Sequence, residues 1–255
     1  MKKLIIFDLD GTLAKSKSPI DDEMSGLLFN LLEVAQVSII SGGDWPQFEK
    51  QVLDHLPKKT LFKKLYILPT CGTKFYQYKK DWKKLYAENF TNSERKKILE
   101  SLQHAIKDAN LEIKKTWGDQ IEDRGSQITF SALGQKAPLE AKEGWDDDFS
   151  KRKKIVKPLR KSLEGFSIEM GGATSIDITK PGIDKAYGIN KLKEILNIKI
   201  SEMLYIGDAL FEGGNDYPAK TTGVDCIQVR DPEETKNIIR TVIACTSDTK
   251  ETKKS

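Results

Sequence analysis

The fold is decided near the start of the chain by the stretch Leu4-Ile5-Ile6-Phe7-Asp8-Leu9-Asp10-Gly11-Thr12. Leu4 to Phe7 is a short apolar run between two lysines and a turn signal, which predicts a buried parallel strand. Asp8 and Asp10 follow this run, and alternate residues of an extended segment face the same side. Gly11 then lets the chain turn sharply with backbone amides exposed to an anion. We therefore expect two carboxylates in one site at the end of the first strand.

Paired carboxylates at a strand end can support phosphoryl transfer. Mg²⁺ prefers oxygen ligands and keeps several waters, so this pair is able to hold it. Asp8 can also attack phosphorus and form an aspartyl phosphate. Asp10 would then act as the acid for the leaving oxygen and as the base for the incoming one. The alternative is a plain Asp-Gly turn, which commonly follows a strand.

A second polar cluster follows the next predicted strand. Residues 20–35 carry apolar side chains at helical spacing, and Val37 to Ile40 is another buried run. The cluster consists of Ser41, Gly42, Gly43 and Asp44. A hydroxyl and free amides at the start of a helix can bind phosphate, although a turn without a ligand explains the same residues. The strand–helix alternation predicts an α/β fold with a doubly wound parallel sheet.

A third polar cluster lies near the end of the chain. Lys185 begins a predicted helix at 184–196, and a lysine there can neutralise a phosphoryl group. Asp208 directly follows the buried strand Met203 to Ile206, where it faces the first carboxylates and supplies another Mg²⁺ ligand. Asn215 and Asp216 follow two glycines in the same loop. They can orient the metal ligands without contacting the metal themselves.

The middle of the chain has a different character, and we predict that residues 74–183 form a separate α+β domain inserted into the core. Alternating, aromatic-rich runs at 74–78 and 82–86 predict a hairpin, and residues 111–115 are a strand candidate. A helix is predicted at roughly 146–164, although Pro158 favours a kink or a later start. Residues 1–73 and 184–246 would form the core domain, and the polar residues 247–255 a disordered tail.

Composition narrows the class of protein. The 255 residues carry 42 basic and 38 acidic side chains, a balance that gives weak support for nucleic-acid binding. No stretch approaches the roughly 20 apolar residues of a membrane span, and the first apolar run is too short for a signal peptide. Three cysteines without a CxxC pair suit reduced thiols. These features predict a cytoplasmic protein that binds neither nucleic acid nor membranes.

The three clusters together resemble the motifs of the haloacid-dehalogenase-like superfamily. The Asp8–Thr12 sequence, Ser41, Lys185 and the acidic loop at 208–216 all fit it. The inserted segment resembles the larger α/β cap of the IIB subgroup, and the nearest likeness within that subgroup is to eukaryotic-type phosphomannomutases. The likeness includes GDALFEGGND at 207–216 and the cap stretches IEDRGSQITFSALGQ and GGATSIDITKPGIDK, and it extends to about residue 240.

The resemblance implies roles for individual residues. Asp8 matches the nucleophile, Asp10 the acid/base and Asp208 the Mg²⁺-binding aspartate, with Asp8 and the main chain of Asp10 also on the metal. Gly43, Asp44 and Lys185 match phosphate-site positions. The cap positions that hold the sugar and its distal phosphate correspond to Arg124, Gln135, Ser175 and Asp177. The resemblance also allows a homodimer through the cap.

This chain departs from the mutases in the cap. Trp117 and Gln135 stand where the mutases have arginines on either side of the Arg124 position. A mutase must grip two phosphates, for which bidentate arginines are best suited, although Lys115 and Lys136 are adjacent to the changed positions. We therefore predict a Mg²⁺-dependent phosphatase acting on a sugar phosphate. The alternative is a phosphomannomutase-like isomerase that moves phosphate between C6 and C1.

Overall fold

The computed structural model describes residues 2–142 and 144–251, which divide into two compact units. The core unit comprises the chain up to Ala87 and again from Asp184 onward, and the inserted unit is Glu88–Ile183. The first elements are β1 (Leu4–Phe7), α1 (Asp22–Val34), β2 (Gln36–Ile40), α2 (Trp45–Gln51), β3 (Leu65–Leu68), β4 (Lys74–Tyr78) and β5 (Trp82–Ala87). The inserted unit contains α3 (Asn92–Ala109), β6 (Ile121–Asp123), β7 (Gln127–Ser131), α4 (Leu139–Lys142), α5 (Ser150–Ser162), β8 (Ser167–Gly171) and β9 (Ser175–Thr179). The chain ends with α6 (Lys185–Leu196), β10 (Met203–Gly207), α7 (Pro218–Thr221), β11 (Asp225–Gln228) and α8 (Pro232–Glu251).

The core unit has the predicted α/β architecture. Its described residues form a seven-stranded sheet in the order β11-β10-β1-β2-β3-β4-β5, in which the first five strands are parallel and β4 and β5 antiparallel. Alternate side chains of β1 enter different hydrophobic clusters. Ile5 and Phe7 pack with residues of α1, α2 and α8, whereas Leu4 and Ile6 pack with residues of α6 and α7. The sheet is therefore covered by helices on both faces, and the doubly wound fold is confirmed.

The inserted unit pairs an antiparallel sheet with helices on one face. The strand order is β6-β7-β9-β8, and α3 and α5 contact each other and share a hydrophobic cluster with the sheet. Ile128 and Phe130 of β7 enter that cluster, as do Ile176 and Ile178 of β9. The residues between them are polar, so the other face of this sheet is a polar face.

The hairpin at 74–87 is the main difference from the predicted domain layout. The sequence predicts it as part of the inserted domain, but β4 pairs with β3 and extends the sheet of the core unit. Its aromatic side chains pack within the same unit: the rings of Trp45 and Tyr76 are stacked at 4.1 Å, and Trp82 lies 5.5 Å from Trp45. The backbone N–H and C=O groups at the free edge of β3 can pair with a further strand, and β4 is the strand that pairs with them.

Three smaller differences follow from local contacts. Residues 111–115 form no strand, because Leu111 and Ile113 pack against the hydrophobic cluster of the inserted unit without a strand partner. Helix α5 begins at Ser150 instead of 146, since the Asp146 carboxylate accepts hydrogen bonds from the amides of Lys151 and Arg152. Of the predicted tail 247–255, residues 247–251 belong to α8 and residues 252–255 lie outside the described residues. The three cysteines are free, as predicted.

Candidate active site

The ends of three parallel strands bring the predicted catalytic residues of the core unit together. Phe7 of β1 lies in register with Ile39 of β2 and Ile206 of β10, so these strands end at the same edge of the sheet. Asp8 follows β1 immediately, and its amide donates to the carbonyl of Ile206 at 3.0 Å. The segments that follow β2 and β10 begin with Ser41 and Asp208. The predicted edge of the sheet therefore carries these clusters.

Lys185 occupies the centre of this arrangement. It is the first residue of α6, its side chain is 1% exposed, and its ammonium forms an ion pair with Asp8. The same ammonium donates to the carbonyl of Ile40 at 2.7 Å and lies 3.2 Å from Asp216 Oδ1. The ammonium is therefore held by two hydrogen bonds, to Asp8 and Ile40, and by an ion pair with Asp216.

Asp8 and Asp216, the two carboxylates that contact this ammonium, belong to a cluster of three. Asp8, Asp208 and Asp216 each offer an oxygen, and these oxygens lie within 4.8 Å of one another. Burial, helped by the negative charges of Asp216 and Asp208, raises the pKa of Asp8 to about 7, against the opposing effect of Lys185. Burial and Asp216 likewise raise the pKa of Asp208. Burial alone would lower the pKa of Lys185, but Asp8 and Asp216 outweigh it and raise that pKa above its ordinary value.

This charge imbalance fits a divalent cation. Three carboxylates against one ammonium leave an excess of negative charge in a largely buried site, and all the donors are oxygens, as Mg²⁺ requires. Asp8, Asp208 and Asp216 are the side chains that would hold the ion. Asp216 was predicted to act from behind the ligands, whereas one of its oxygens belongs to the cluster itself. The carboxylate of Asp10 is not part of this cluster, and a role for its main chain stays a prediction.

The loop from Gly207 to Asp216 is built around the Asp216 carboxylate. The hydroxyl of Tyr205 donates to Asp216 Oδ1 at 2.6 Å, and the amide of Ala209 donates to Oδ2 at 3.1 Å. A Cβ atom at Gly207 would overlap with the Asp216 carboxylate, so glycine is required there by space. Asn215 precedes Asp216 in this loop. The tight loop explains why two aspartates eight residues apart reach the same site.

The turn after Asp10 meets Asp208. Gly11 has a φ of +86°, which favours glycine, and a Cβ atom there would lie 2.6 Å from Asp208 Oδ2. The hydroxyl of Thr12 donates to Asp208 Oδ1 at 3.4 Å. The glycine of the Asp8–Thr12 sequence is therefore needed both for the turn and for the close approach of Asp208.

The segment Ser41–Asp44, which we call the phosphate loop, connects β2 to α2. Ser41 is buried, and its hydroxyl accepts a hydrogen bond from the amide of Gly43 at 3.2 Å. Asp44 caps α2 by accepting from the amide of Trp45 at 2.8 Å. The buried ammonium of Lys74 donates to the same Asp44 oxygen at 2.6 Å. Lys74 thus offsets a negative charge that would otherwise repel a phosphate from this loop.

Asp10 points away from the acidic cluster and toward α2. Its Oδ1 accepts from the amide of Lys17 at 2.6 Å and from Gln51 Nε2 at 3.2 Å, and its Oδ2 accepts from Gln47 Nε2 at 2.8 Å. The acid/base candidate is thereby held apart from the nucleophile candidate, although the two residues are separated by a single position. Separate surroundings suit separate chemical roles for the two carboxylates.

The polar face of the inserted unit holds three of the four predicted cap residues in hydrogen bonds. Asp177 Oδ1 accepts from Thr129 Oγ1 at 2.6 Å and from Gln127 Nε2 at 3.0 Å. The hydroxyls of Ser131 and Ser175 lie 2.9 Å apart. Arg124 donates to Glu122 Oε2 at 2.7 Å. Gln135 lies in the loop after β7, where its backbone N–H donates to the carbonyl of Asp119 at 3.0 Å.

Several residues of this site have no role in the sequence-based predictions. Tyr205, Gln47, Gln51 and Lys74 all contact predicted site residues. A weak signal existed for each of them. Tyr205 is a polar side chain within a strand of otherwise apolar residues, and Gln47 and Gln51 are one helical turn apart. Lys74 is a basic residue immediately before the apolar Phe75 in the hairpin.

Fold and site together define the class of protein. A doubly wound core carrying an Asp-x-Asp-Gly-Thr sequence, a buried lysine and an acidic loop at neighbouring strand ends belongs to an enzyme of the haloacid-dehalogenase-like superfamily. Solved structures agree in fold. A Plasmodium falciparum IMP-nucleotidase has a TM-score of 0.67 at 17% identity, with 95% of this chain and 68% of that chain covered. An Aspergillus fumigatus trehalose-6-phosphate phosphatase has a TM-score of 0.56 at 19% identity, with 96% and 93% covered.

Sequence comparisons identify the family. The family model described as eukaryotic phosphomannomutase matches residues 24–245, and the chain belongs to that family. The phosphomannomutase of Dendrobium officinale is 27% identical over 220 residues, which are 84% of this chain and 83% of that protein. The phosphomannomutase of Encephalitozoon cuniculi is 27% identical over 252 residues, which are 92% and 91% of the two chains. Among the described residues, no helix is both long and apolar enough to span a membrane.

Proposed function

We propose that the chain is a Mg²⁺-dependent phosphatase that removes phosphate from a sugar phosphate. Its core unit supplies the chemistry: Asp8 attacks phosphorus, Lys185 neutralises the transferring group, and Asp10 gives a proton to the leaving oxygen. The phosphate loop binds the phosphoryl oxygens. In the second half-reaction Asp10 takes a proton from water, which attacks the aspartyl phosphate and regenerates Asp8.

Asp8, Asp208 and Asp216 would hold the Mg²⁺ ion. When bound, the ion would polarise the phosphoryl oxygens and screen the charges of the carboxylates around them. Lys185 already holds Asp8 in place by an ion pair, and its remaining contacts anchor it to β2 and to the acidic loop. The nucleophile is therefore oriented by this chain's own side chains before any ligand arrives.

We assign the sugar to the polar face of the inserted unit. Ser175 and Asp177 offer hydroxyl and carboxylate oxygens, which suit sugar hydroxyls. The hydrogen bonds of Asp177 with Thr129 and Gln127 fix the orientation of its carboxylate.

The single observation that carries the hydrolase proposal is the ion pair between Arg124 and Glu122. Arg124 is the only arginine between residues 96 and 151, and its guanidinium is already partly neutralised by a carboxylate 2.7 Å away. Trp117 and Gln135 replace two further cations, and Lys115 lies over the Trp117 ring at 4.8 Å. Since each charged hydrogen bond contributes about 1.5–3 kcal/mol, two missing arginines weaken the grip on a distal phosphate by several kcal/mol. A mutase depends on that grip in both orientations of its bisphosphate.

The second candidate is a mutase that interconverts mannose 6-phosphate and mannose 1-phosphate. Membership of the phosphomannomutase family and the names of the curated relatives favour it. Lys115 and Lys136, which stand beside the two changed positions, would then supply the missing positive charge. The homodimer through the cap stays a prediction under either candidate.

The experiment is ³¹P NMR of the purified chain with Mg²⁺ and mannose 6-phosphate, with and without glucose 1,6-bisphosphate. We expect free phosphate, formed without any need for the bisphosphate. A 1-phosphate signal that grows only in the presence of the bisphosphate would establish the mutase instead. Gln135→Arg is the matched variant: restoring the arginine should tighten binding of the bisphosphate, while Lys114→Arg, at an exposed position nearby, should not.

A further inference from the structure

Gln47 connects the acid/base candidate to the phosphate loop. Its Nε2 donates to Asp10 Oδ2 at 2.8 Å. Its Oε1 lies so close to Gly43 that a Cβ atom at that position would overlap with it. A side chain at Gly43 would therefore displace the Gln47 amide. One amide group thus contacts both the residue expected to move the proton and the loop expected to bind the phosphate.

Gln51 supports the same carboxylate from a fixed position. It lies one helical turn after Gln47 on α2, so both side chains project from the same face of the helix. Gln51 is 2% exposed, and its Nε2 donates to Asp10 Oδ1 at 3.2 Å and to the carbonyl of Ser18 at 2.6 Å. An oxygen in place of that Nε2 would face two acceptors, so its orientation is determined. Gln51 anchors Oδ1, while the half-buried Gln47 contacts Oδ2.

The two oxygens of Asp10 therefore have different surroundings. Oδ1 accepts from the amide of Lys17 and from Gln51, whereas Oδ2 accepts from Gln47. Oδ2 therefore has one donor against two for Oδ1, and it keeps more of its acceptor capacity for a ligand at the phosphate loop. An amide suits this position because it donates to a carboxylate through Nε2 and, after a half-turn, accepts from a carboxylic acid through Oε1. Gln47 can thus satisfy Asp10 in both of its protonation states.

We propose that Gln47 is a positioning residue for Asp10, which holds Oδ2 beside the phosphate loop so that it can exchange a proton with the substrate oxygen. This inference rests on the proposed function. In the first half-reaction a bond forms between an Asp8 oxygen and phosphorus while the phosphorus–oxygen bond to the sugar breaks. The proton on Asp10 Oδ2 passes to the departing sugar oxygen, which leaves as an alcohol. In the second, Asp10 Oδ2 takes a proton from the attacking water.

The test compares two substrates that differ in their need for that proton. The sugar oxygen of mannose 6-phosphate is a poor leaving group without protonation, whereas p-nitrophenolate leaves unprotonated. The quantity measured is kcat/KM, because it reports the steps through phosphoryl transfer to Asp8. For Gln47→Leu we expect kcat/KM with mannose 6-phosphate to fall about 10–100-fold, through kcat with KM nearly constant. The value with p-nitrophenyl phosphate should change little.

Two further variants keep the test decisive. Gln47→Asn retains the amide but withdraws it from Oδ2, so it should show the same selective loss even if the leucine variant folds poorly. Glu49→Gln, on the exposed side of the same helix, should leave both substrates unaffected. Equal losses on both substrates, or no loss on either, would overturn the role of Gln47. A wild-type chain that turns over neither substrate would instead overturn the proposed function, and this inference with it.

Discussion

Replacing Lys185 by methionine removes the one cation at the centre of the acidic cluster. The methionine side chain has a similar length and fills most of the space, so the change isolates the loss of charge. In the wild-type chain the ammonium serves Asp8, Asp216 and the carbonyl of Ile40. After the substitution Asp8 loses its ion-pair partner and the carbonyl of Ile40 loses its donor. Asp216 keeps its hydrogen bonds from Tyr205 and Ala209 but loses the nearby positive charge.

The magnitude follows from burial. Breaking a buried ion pair by removing one partner costs about 3–5 kcal/mol, because an uncompensated charge stays in the interior. Lys185 is 1% exposed and Asp216 fully buried, so we expect a cost in this range when no metal is present. Mg²⁺ supplies positive charge to the same carboxylates and should recover part of the lost stability. Activity should not recover, since removing a group that stabilises transition-state charge commonly lowers kcat about 10²–10³-fold.

The assay is urea unfolding followed by circular dichroism, in EDTA and again in Mg²⁺. Lys193→Met is the matched control, because Lys193 is an exposed residue of the same helix. We expect it to lie within about 0.5 kcal/mol of the wild type. If Lys185→Met were as stable in EDTA as this control, the ammonium would not compensate the cluster and the reasoning would be refuted.

Three other substitutions test contacts within the core unit. Lys74→Met should lower the free energy of unfolding by about 2 kcal/mol, because Asp44 then lacks its partner. Adding Asp44→Asn should restore most of the lost free energy of unfolding. A double variant no more stable than Lys74→Met alone would contradict the ion pair between Lys74 and Asp44. Tyr205→Phe removes the hydrogen bond to Asp216 and should cost about 1.5–3 kcal/mol; a loss below about 0.5 kcal/mol would contradict it. Lys236, which is 4% exposed, donates to Asp21, and this hydrogen bond lowers the pKa of Asp21 below its ordinary 3.8. The resulting stability is present at neutral pH and is lost as the pH falls through the lowered pKa. Lys236→Met should therefore lower the urea midpoint at pH 7 and make that midpoint fall less steeply as the pH is lowered. A midpoint that falls as steeply as in the wild type would contradict this.

Most of the core unit was predictable because parallel strands end at a common edge. Asp8, Ser41 and Asp208 each follow a short apolar run, and topology alone then places them near one another. The hairpin at 74–87 was assigned to the wrong unit because alternation and a turn are local signals. They reveal a pair of strands but not the sheet edge that the pair joins.

The site residues that the sequence did not predict were missed for a different reason. Gln47 and Gln51 have the composition of an exposed helix surface, and only the path of the chain brings Asp10 against them. Asp216 was recognised as part of the loop, but its place in the acidic cluster depends on how tightly Gly207 lets that loop fold. The spacing of Gln47 and Gln51 by one helical turn indicates that they share a helix face, but it does not indicate that this face meets Asp10.

The central claim is that Asp8 carries the phosphoryl group. The direct measurement is to mix the chain with Mg²⁺ and substrate, quench within one turnover, reduce with borohydride, and locate the modified residue by peptide mass spectrometry. Borohydride reduces an acyl phosphate to the alcohol, so it marks an aspartyl phosphate where it formed. The account predicts modification at Asp8 in the wild type and none in Asp8→Asn, which should also be inactive. Modification at another residue, or turnover by Asp8→Asn, would contradict it.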